Sequence, residues 1–392
     1  MDRPVARPVL PLIFAAMAIF VITVVIGILN GLDVWSVPHG ILLAHVHAGT
    51  LGWITLSVFA AAAWVFGAEQ LPKPLVTGAI AAAAIYVVAF WADISILRPF
   101  AGTFMLIMMF WFAIWTFQQR RGEPLNLPKL SLLFAMINVC IGGILGVLLG
   151  LMLAGVIPAN DGVAGAHPAM MVVGYLILAA TGMAEQLVDG PGVAGLTTGA
   201  KVQAYSFFVA GIALAVGVLL DIMPLLGLNL LLEVVGVVLV LVRNRSRLAN
   251  AGWGTSSPTR AGATAMLFLI PALGLLGYLI AVYAKDIESA PRGLLIGLDH
   301  ITFIGILSNA IFGIILVAAA GAIPPAMDQI RYWGMNIGLV LFVIGLVAES
   351  PIFERIGTPI MGLAILHGLG TAAMRLRSGG GTPALDRTPA QT

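Results

Sequence analysis

The sequence predicts an all-α integral membrane protein of twelve transmembrane helices with a possible threefold pseudo-repeat. Three observations carry that expectation. Of 392 residues, 60% are hydrophobic and only 9% charged, a balance foreign to ordinary soluble domains. Apolar runs long enough to cross a hydrocarbon core of about 30 Å as a helix recur along the whole chain. Histidines recur at the start of every fourth run.

With Gly, Pro and charge clusters as breaks, the runs fall at 9–29, 40–66, 74–92, 97–117, 130–156, 164–186, 202–220, 224–242, 262–284, 293–319, 331–349 and 356–374. They form one domain, 1–377, followed by a tail, 378–392, whose Gly, Pro and Thr predict disorder on the cytoplasmic side. The first run exceeds a signal-peptide core and lacks a small-residue cleavage site, so it reads as a retained span. The narrowest break is Asp221-Ile-Met-Pro224. Fusing the runs it separates would give eleven spans; Pro224 and their combined length favour a hairpin.

Fifteen of the 19 Lys and Arg fall on one side of this topology, leaving Arg98, Lys285, Arg292 and Arg355 on the other. The positive-inside rule then places both termini in the cytoplasm and the chain in a plasma membrane, the inner one in a bacterium. The longest internal loop, 243–262, joins Arg-Asn-Arg-Ser-Arg to Gly, Ser and Pro and reads as flexible. The lone Cys140 excludes an internal disulfide framework and a multi-cysteine metal site. Nothing in the net charge of +2 points to nucleic acid.

Within the second run, His45 and His47 are ionisable groups at membrane depth and therefore functional suspects. At about 100° per residue their side chains point to nearly opposite sides of a helix, so they cannot readily share one metal ion but can serve two centres. The plainer alternative is a pair of neutral imidazoles hydrogen-bonded within the bundle. His167 on the sixth run and His300 on the tenth share their depth, whereas His39 belongs at the outer surface and His367 nearer the midplane. The segments His47–Gly52, His167–Gly174 and His300–Gly305 each set a Gly after a His, which suits three arcs of four helices.

Carboxylates are scarce in these runs, so a metal site built of oxygen ligands is not expected. Copper or zinc held by His167, His300 and one of the second-helix pair remains open. The apolar, aromatic and glycine-rich surroundings suit haem better, with two imidazoles on one iron and a single one on a second. Arg98, Arg292 and Arg355, with Lys285, lie at the level of haem propionates, or act as plain helix-end anchors. Asp299 could orient a ligand or simply begin a helix. Tyr175 could reach a gas site or pack, and Glu233 could relay protons or stand alone. The tryptophans and methionines read as belts and packing.

The stretch His45-Val-His-Ala-Gly-Thr-Leu-Gly-Trp53 resembles the His-x-His helix of the haem-copper oxidase subunit I superfamily, most closely its C-type oxidase and nitric oxide reductase branch. Ala166-His-Pro-Ala-Met-Met-Val-Val-Gly174 is also similar to segments of the NnrS family of membrane haem proteins. The resemblance implies an oxidase-like bundle in which His45 and His47 ligate two haems, b-type by expectation, with His300 opposite one of them. In that superfamily the His-x-His motif sits on the tenth helix and a single ligand on the second; here the two positions are exchanged. The oxidases also use adjacent histidines on the seventh helix for copper. The run 202–220 contains none, so a three-histidine copper centre is not expected, and His167 is left to ligate haem, hold copper or line a gas pocket.

The functions implied are binding, sensing or reducing nitric oxide or a related diatomic gas as an oxidoreductase, or passing electrons to or from an outer-side redox partner. The alternatives are a haem or copper transporter or metallochaperone, and a gas sensor or assembly factor without turnover.

Overall fold

The computed structural model describes residues 7–67, 71–120, 124–189, 195–284 and 286–377. Lys285 and the expected disordered tail 378–392 lie outside the described residues. Among the described residues twelve helices are long and apolar enough to cross a membrane: α1 (Leu10–Gly31), α2 (His39–Phe66), α3 (Lys73–Trp91), α4 (Leu97–Gln119), α5 (Leu127–Leu153), α6 (Asp161–Asp189), α7 (Thr198–Leu219), α8 (Met223–Ala249), α9 (Pro258–Tyr283), α10 (Arg292–Ala318), α11 (Pro325–Val347) and α12 (Pro351–Arg377). The chain is an all-α integral membrane protein. The narrow break at 221–224 is a hairpin, turned by Asp221 at φ 53°, a left-handed conformation that Asp tolerates better than most side chains.

Several helices outrun their apolar cores because charges on the extra turns neutralise one another. Arg243 Nη1 donates to Glu185 Oε1 at 3.1 Å and to Gln203 Oε1 at 2.7 Å, and Arg247 pairs with Asp189. Helix α8 therefore continues to Ala249. The reading of 243–262 as a flexible loop is corrected: the connection is only 250–257. It is fastened by Ser256 Oγ donating to Asp328 Oδ2 at 2.6 Å and Gln329 Nε2 donating to the Gly254 carbonyl at 3.0 Å. Helix α11 likewise starts at Pro325, six residues ahead of the expected 331, because Asp328 binds both Arg260 and Arg331.

Helices α2, α6 and α10 form the centre, with 89%, 67% and 83% of their apolar windows buried against at most 56% elsewhere. The other helices surround them, and α12 packs on α1 to close the ring. The reason is legible in α2, where Leu56–Ala63, Leu-Ser-Val-Phe-Ala-Ala-Ala-Ala, is buried on every side. A helix apolar all round and rich in small residues lets neighbours approach from all directions.

The three central helices share one plan. Each opens with nine α-helical residues (His39–His47, Asp161–Ala169, Arg292–His300) and then widens into a π-helical segment (Ala48–Thr55, Met170–Leu176, Ile301–Ser308) before returning to α-helix. π-Helical turns are rare and concentrate at functional sites. In two of them a hydroxyl at the end of the segment takes up a carbonyl five residues back: Thr55 Oγ1 donates to Thr50 O at 2.9 Å and Ser308 Oγ to Phe303 O at 2.8 Å. The fifth residue of each segment is glycine. At Gly52 a Cβ would lie 2.2 Å from the Ile19 side chain of α1, a close approach only glycine allows.

This plan revises the sequence alignment of the repeat. Aligned on the first π-helical residue, His167 matches His45, with Leu298 in the third copy, and His300 matches His47, with Ala169 in the second. From their π-helical segments onward α2, α6 and α10 pack on one another. Two cavities lie at the level of the histidines.

Candidate functional site: two cavities either side of one helix

His45 and His47 enter different cavities. The larger, of about 440 Å³, lies among α1, α2, α10, α11 and α12 and takes His45 and His300 into its wall. The smaller, of about 140 Å³, lies among α2 to α6 and α10 and is lined by His47 and His167. Each cavity thus receives two imidazoles from two different central helices. Val46, Asp299 and Phe303 belong to both walls and form the partition.

Backbone carbonyls fix all four rings. His45 Nδ1 meets Thr23 O of α1 at 2.9 Å and His167 Nδ1 meets Gly142 O of α5 at 2.9 Å. His47 Nδ1 meets Leu43 O and His300 Nδ1 meets Ile296 O, both at 2.8 Å and both one turn back on the same helix. A carbonyl only accepts, so Nδ1 carries the proton and the neutral ring keeps its Nε2 lone pair for a ligand. Each cavity pairs one ring anchored on a neighbouring helix with one anchored on its own. Asp299, a candidate for orienting a ligand, makes none of these contacts; the carbonyls orient the rings.

Glycines make room for the crossing rings. A Cβ on Gly27 would lie 3.2 Å from His45 Cε1, and one on Gly146 only 2.8 Å from His167 Cε1. Gly27 follows Thr23 by four residues, as Gly146 follows Gly142, so the same carbonyl-and-glycine cradle occurs on α1 and α5. Neither cradle was read from the sequence, although the spacing is there.

The basic candidates separate. Arg355 lines the larger cavity at the end where α10 and α12 begin, paired with Asp33 at 2.7 Å. Arg98 is buried, pairs with Asp93 and lies 4.8 Å from the Phe90 ring centroid. Phe90 in turn stacks on His47 at 4.0 Å, so the cation stands one ring behind the smaller cavity. Arg292 begins α10 and lines neither cavity. His39 is exposed at the first position of α2, and His367 and Tyr175 also line neither cavity.

Among the described residues no group of three or more His, Cys, Asp or Glu could hold a metal ion. The imidazoles come in pairs, too few by themselves for a tetrahedral zinc site and the number needed on the two faces of a planar metal macrocycle. The larger cavity fits such a group in other respects. Its wall is mostly apolar, it carries Arg355 at one end, and the Thr358 hydroxyl is buried there without a partner among the described residues. The smaller cavity adds the thioethers of Met105, Met109 and Met171.

No model of a known protein family matches the chain, and no curated protein matches its sequence.

Proposed function

We propose that this chain is a haem-binding integral membrane protein that carries electrons between two metal groups flanking α2. His45 and His300 hold one haem, and His47 and His167 hold the second group. The observation that carries the reading is the pairing itself: four imidazoles, each with Nδ1 on a carbonyl, distributed two by two into cavities on opposite sides of one helix. Haem would supply a one-electron couple there, and His45 with His300 holding it together would favour electron transfer over gas binding. The chain's own part is to fix ring orientation through the carbonyls, to exclude water with apolar walls and to set a cation beside each cavity.

The excess of Lys and Arg on the opposite side supports placing the histidine end outside a plasma membrane, with both termini cytoplasmic and a redox partner on the outer side. Resemblance to haem-copper oxidase subunit I and to NnrS-type proteins supports the same reading and extends it to nitric oxide as a ligand. A second reading has its own observation. The smaller cavity, with two imidazoles and three thioethers, suits a soft ion of the copper(I) class, which would make the chain a metal carrier at that site.

The test is an absorption spectrum of the purified protein, oxidised and reduced, with haem and metal counted per chain. Two haems support the first reading, copper counted per chain supports the second, and a colourless protein without bound metal from a haem- and copper-replete host rejects both. Carbon monoxide shifting the reduced spectrum would reveal an open iron and move the function toward gas binding.

A further inference from the structure

The π-helical register divides the molecule into three intervals between central helices, and only two of them contain histidines. The third lies between α6 and α10 and is walled also by α8 and α9. On the α10 side the residue matching His45 is Leu298, which lines this interval, and on α6 the residue matching His47 is Ala169. The imidazole pair of the other intervals has no counterpart here. In its place stands Glu233 of α8, 4% exposed, with Oε1 lacking any hydrogen-bond partner among the described residues.

Glu233 faces a void of about 30 Å³. Among the described residues the only other polar side chain on the wall is Thr302 of α10. The remaining lining residues from α6, α8, α9 and α10 are apolar, none is titratable, and α7 contributes none. One turn before Glu233 on the same helix, Asn229 donates from Nδ2 to the Ala210 carbonyl of α7 at 3.1 Å and does not line the void. Glu233 Oε1 is thus a buried oxygen on the wall of the void with no donor among the described residues. What this interval is short of is hydrogen, and a water or a proton supplies it. A polar void above roughly 10–15 Å³ holds a water, so this one has room for about two.

We propose that the third interval is a proton-holding site, in which Glu233 is a neutral carboxylic acid joined to Thr302 through internal water. An unpaired carboxylate there would be an uncompensated buried charge, whereas the acid supplies the missing donor. The proton comes from solvent, and no other group is oxidised or reduced. The site does not depend on what fills the two histidine cavities.

Infrared spectroscopy of the full chain in lipid nanodiscs tests the proposal, at about pH 8, well above the reference carboxyl range near ~4. The wild type minus Glu233→Gln spectrum is expected to contain one carboxylic acid C=O band that moves down in D2O. Superimposable C=O regions overturn the proposal. Thr302→Val, which keeps the acid and removes the far end of the water bridge, is expected to move that band toward the position of an unbonded acid. A band that stays where it was rejects the water link. Where Glu233→Gln fails to fold, Glu233→Asp takes its place: the acid band is expected to move with the shortened side chain, and a C=O region identical to wild type overturns the proposal.

Discussion

His45 and His167 are held alike: each Nδ1 sits 2.9 Å from a carbonyl on the helix preceding its own, Thr23 O on α1 and Gly142 O on α5. Four residues after each carbonyl a glycine leaves space for the ring edge. The two helix pairs present equivalent imidazoles to different cavities, and this makes the consequences of substitution specific to one cavity at a time.

Gly146→Val is expected to displace His167 and deplete only the smaller cavity, because even a Cβ there lies 2.8 Å from the ring. Gly27→Val should act on the His45 side, and the corresponding Ala variants should be milder, Gly27→Ala the mildest at 3.2 Å. Overpacking of this kind costs typically about 1–3 kcal/mol. Haem and metal content per chain, set against thermal unfolding, separates loss of a site from loss of the fold.

Single Ala replacements of the four histidines should group by cavity. His45→Ala and His300→Ala are expected to remove one spectral species, and His47→Ala and His167→Ala the other. Each double variant within a cavity should look like its single variants, since the ligands act as a unit. Grouping by helix, with His45 and His47 lost together, would overturn the two-cavity assignment.

Ser308→Ala is expected to destabilise the contact between α2 and α10 by about 1–3 kcal/mol. Ser308 Oγ accepts from Trp53 Nε1 at 2.9 Å and donates to Phe303 O at 2.8 Å. Removing it strands a buried indole N–H and a π-segment carbonyl together. Unfolding in detergent measures the loss.

Asp328→Asn should be the most damaging substitution away from the cavities, at roughly 3–5 kcal/mol. Asp328 sits between Arg260 and Arg331, and all three side chains are no more than 3% exposed. Neutralising the acid leaves two buried guanidinium groups facing each other. A lowered unfolding temperature with unchanged spectra is the expected result.

Arg355→Gln should change stability by less than about 1 kcal/mol, since the pair with Asp33 is 58% and 69% exposed. A cation beside a redox group favours its electron-rich form, so removing this one should lower the potential of the larger-cavity haem. A potentiometric titration checks the sign, and an upward shift would contradict the placement of Arg355 beside that group.

The twelve spans were legible because apolar length is a local property, and the Asp221 hairpin because proline and total length constrain it. The helix ends at Ala249 and Pro325 were not. They depend on ion pairs between helices far apart in sequence, Arg243 with Glu185 and Arg260 with Asp328. The i, i+2 spacing of His45 and His47 was enough to expect two sides of one helix. It could not say which partner each would meet, since that depends on how the central helices are arranged. The repeat was visible but misregistered: a glycine one and a half to two turns after each histidine matches His167 to His47, whereas the π-helical segment starts one residue after His47 and His300 but three after His167.

The Leu56–Ala63 half of α2, hemmed in on every side, acts as a floor beneath both chambers. Both chambers are therefore confined to the halves of α2, α6 and α10 that carry the histidines, and neither is continued along the second half of α2.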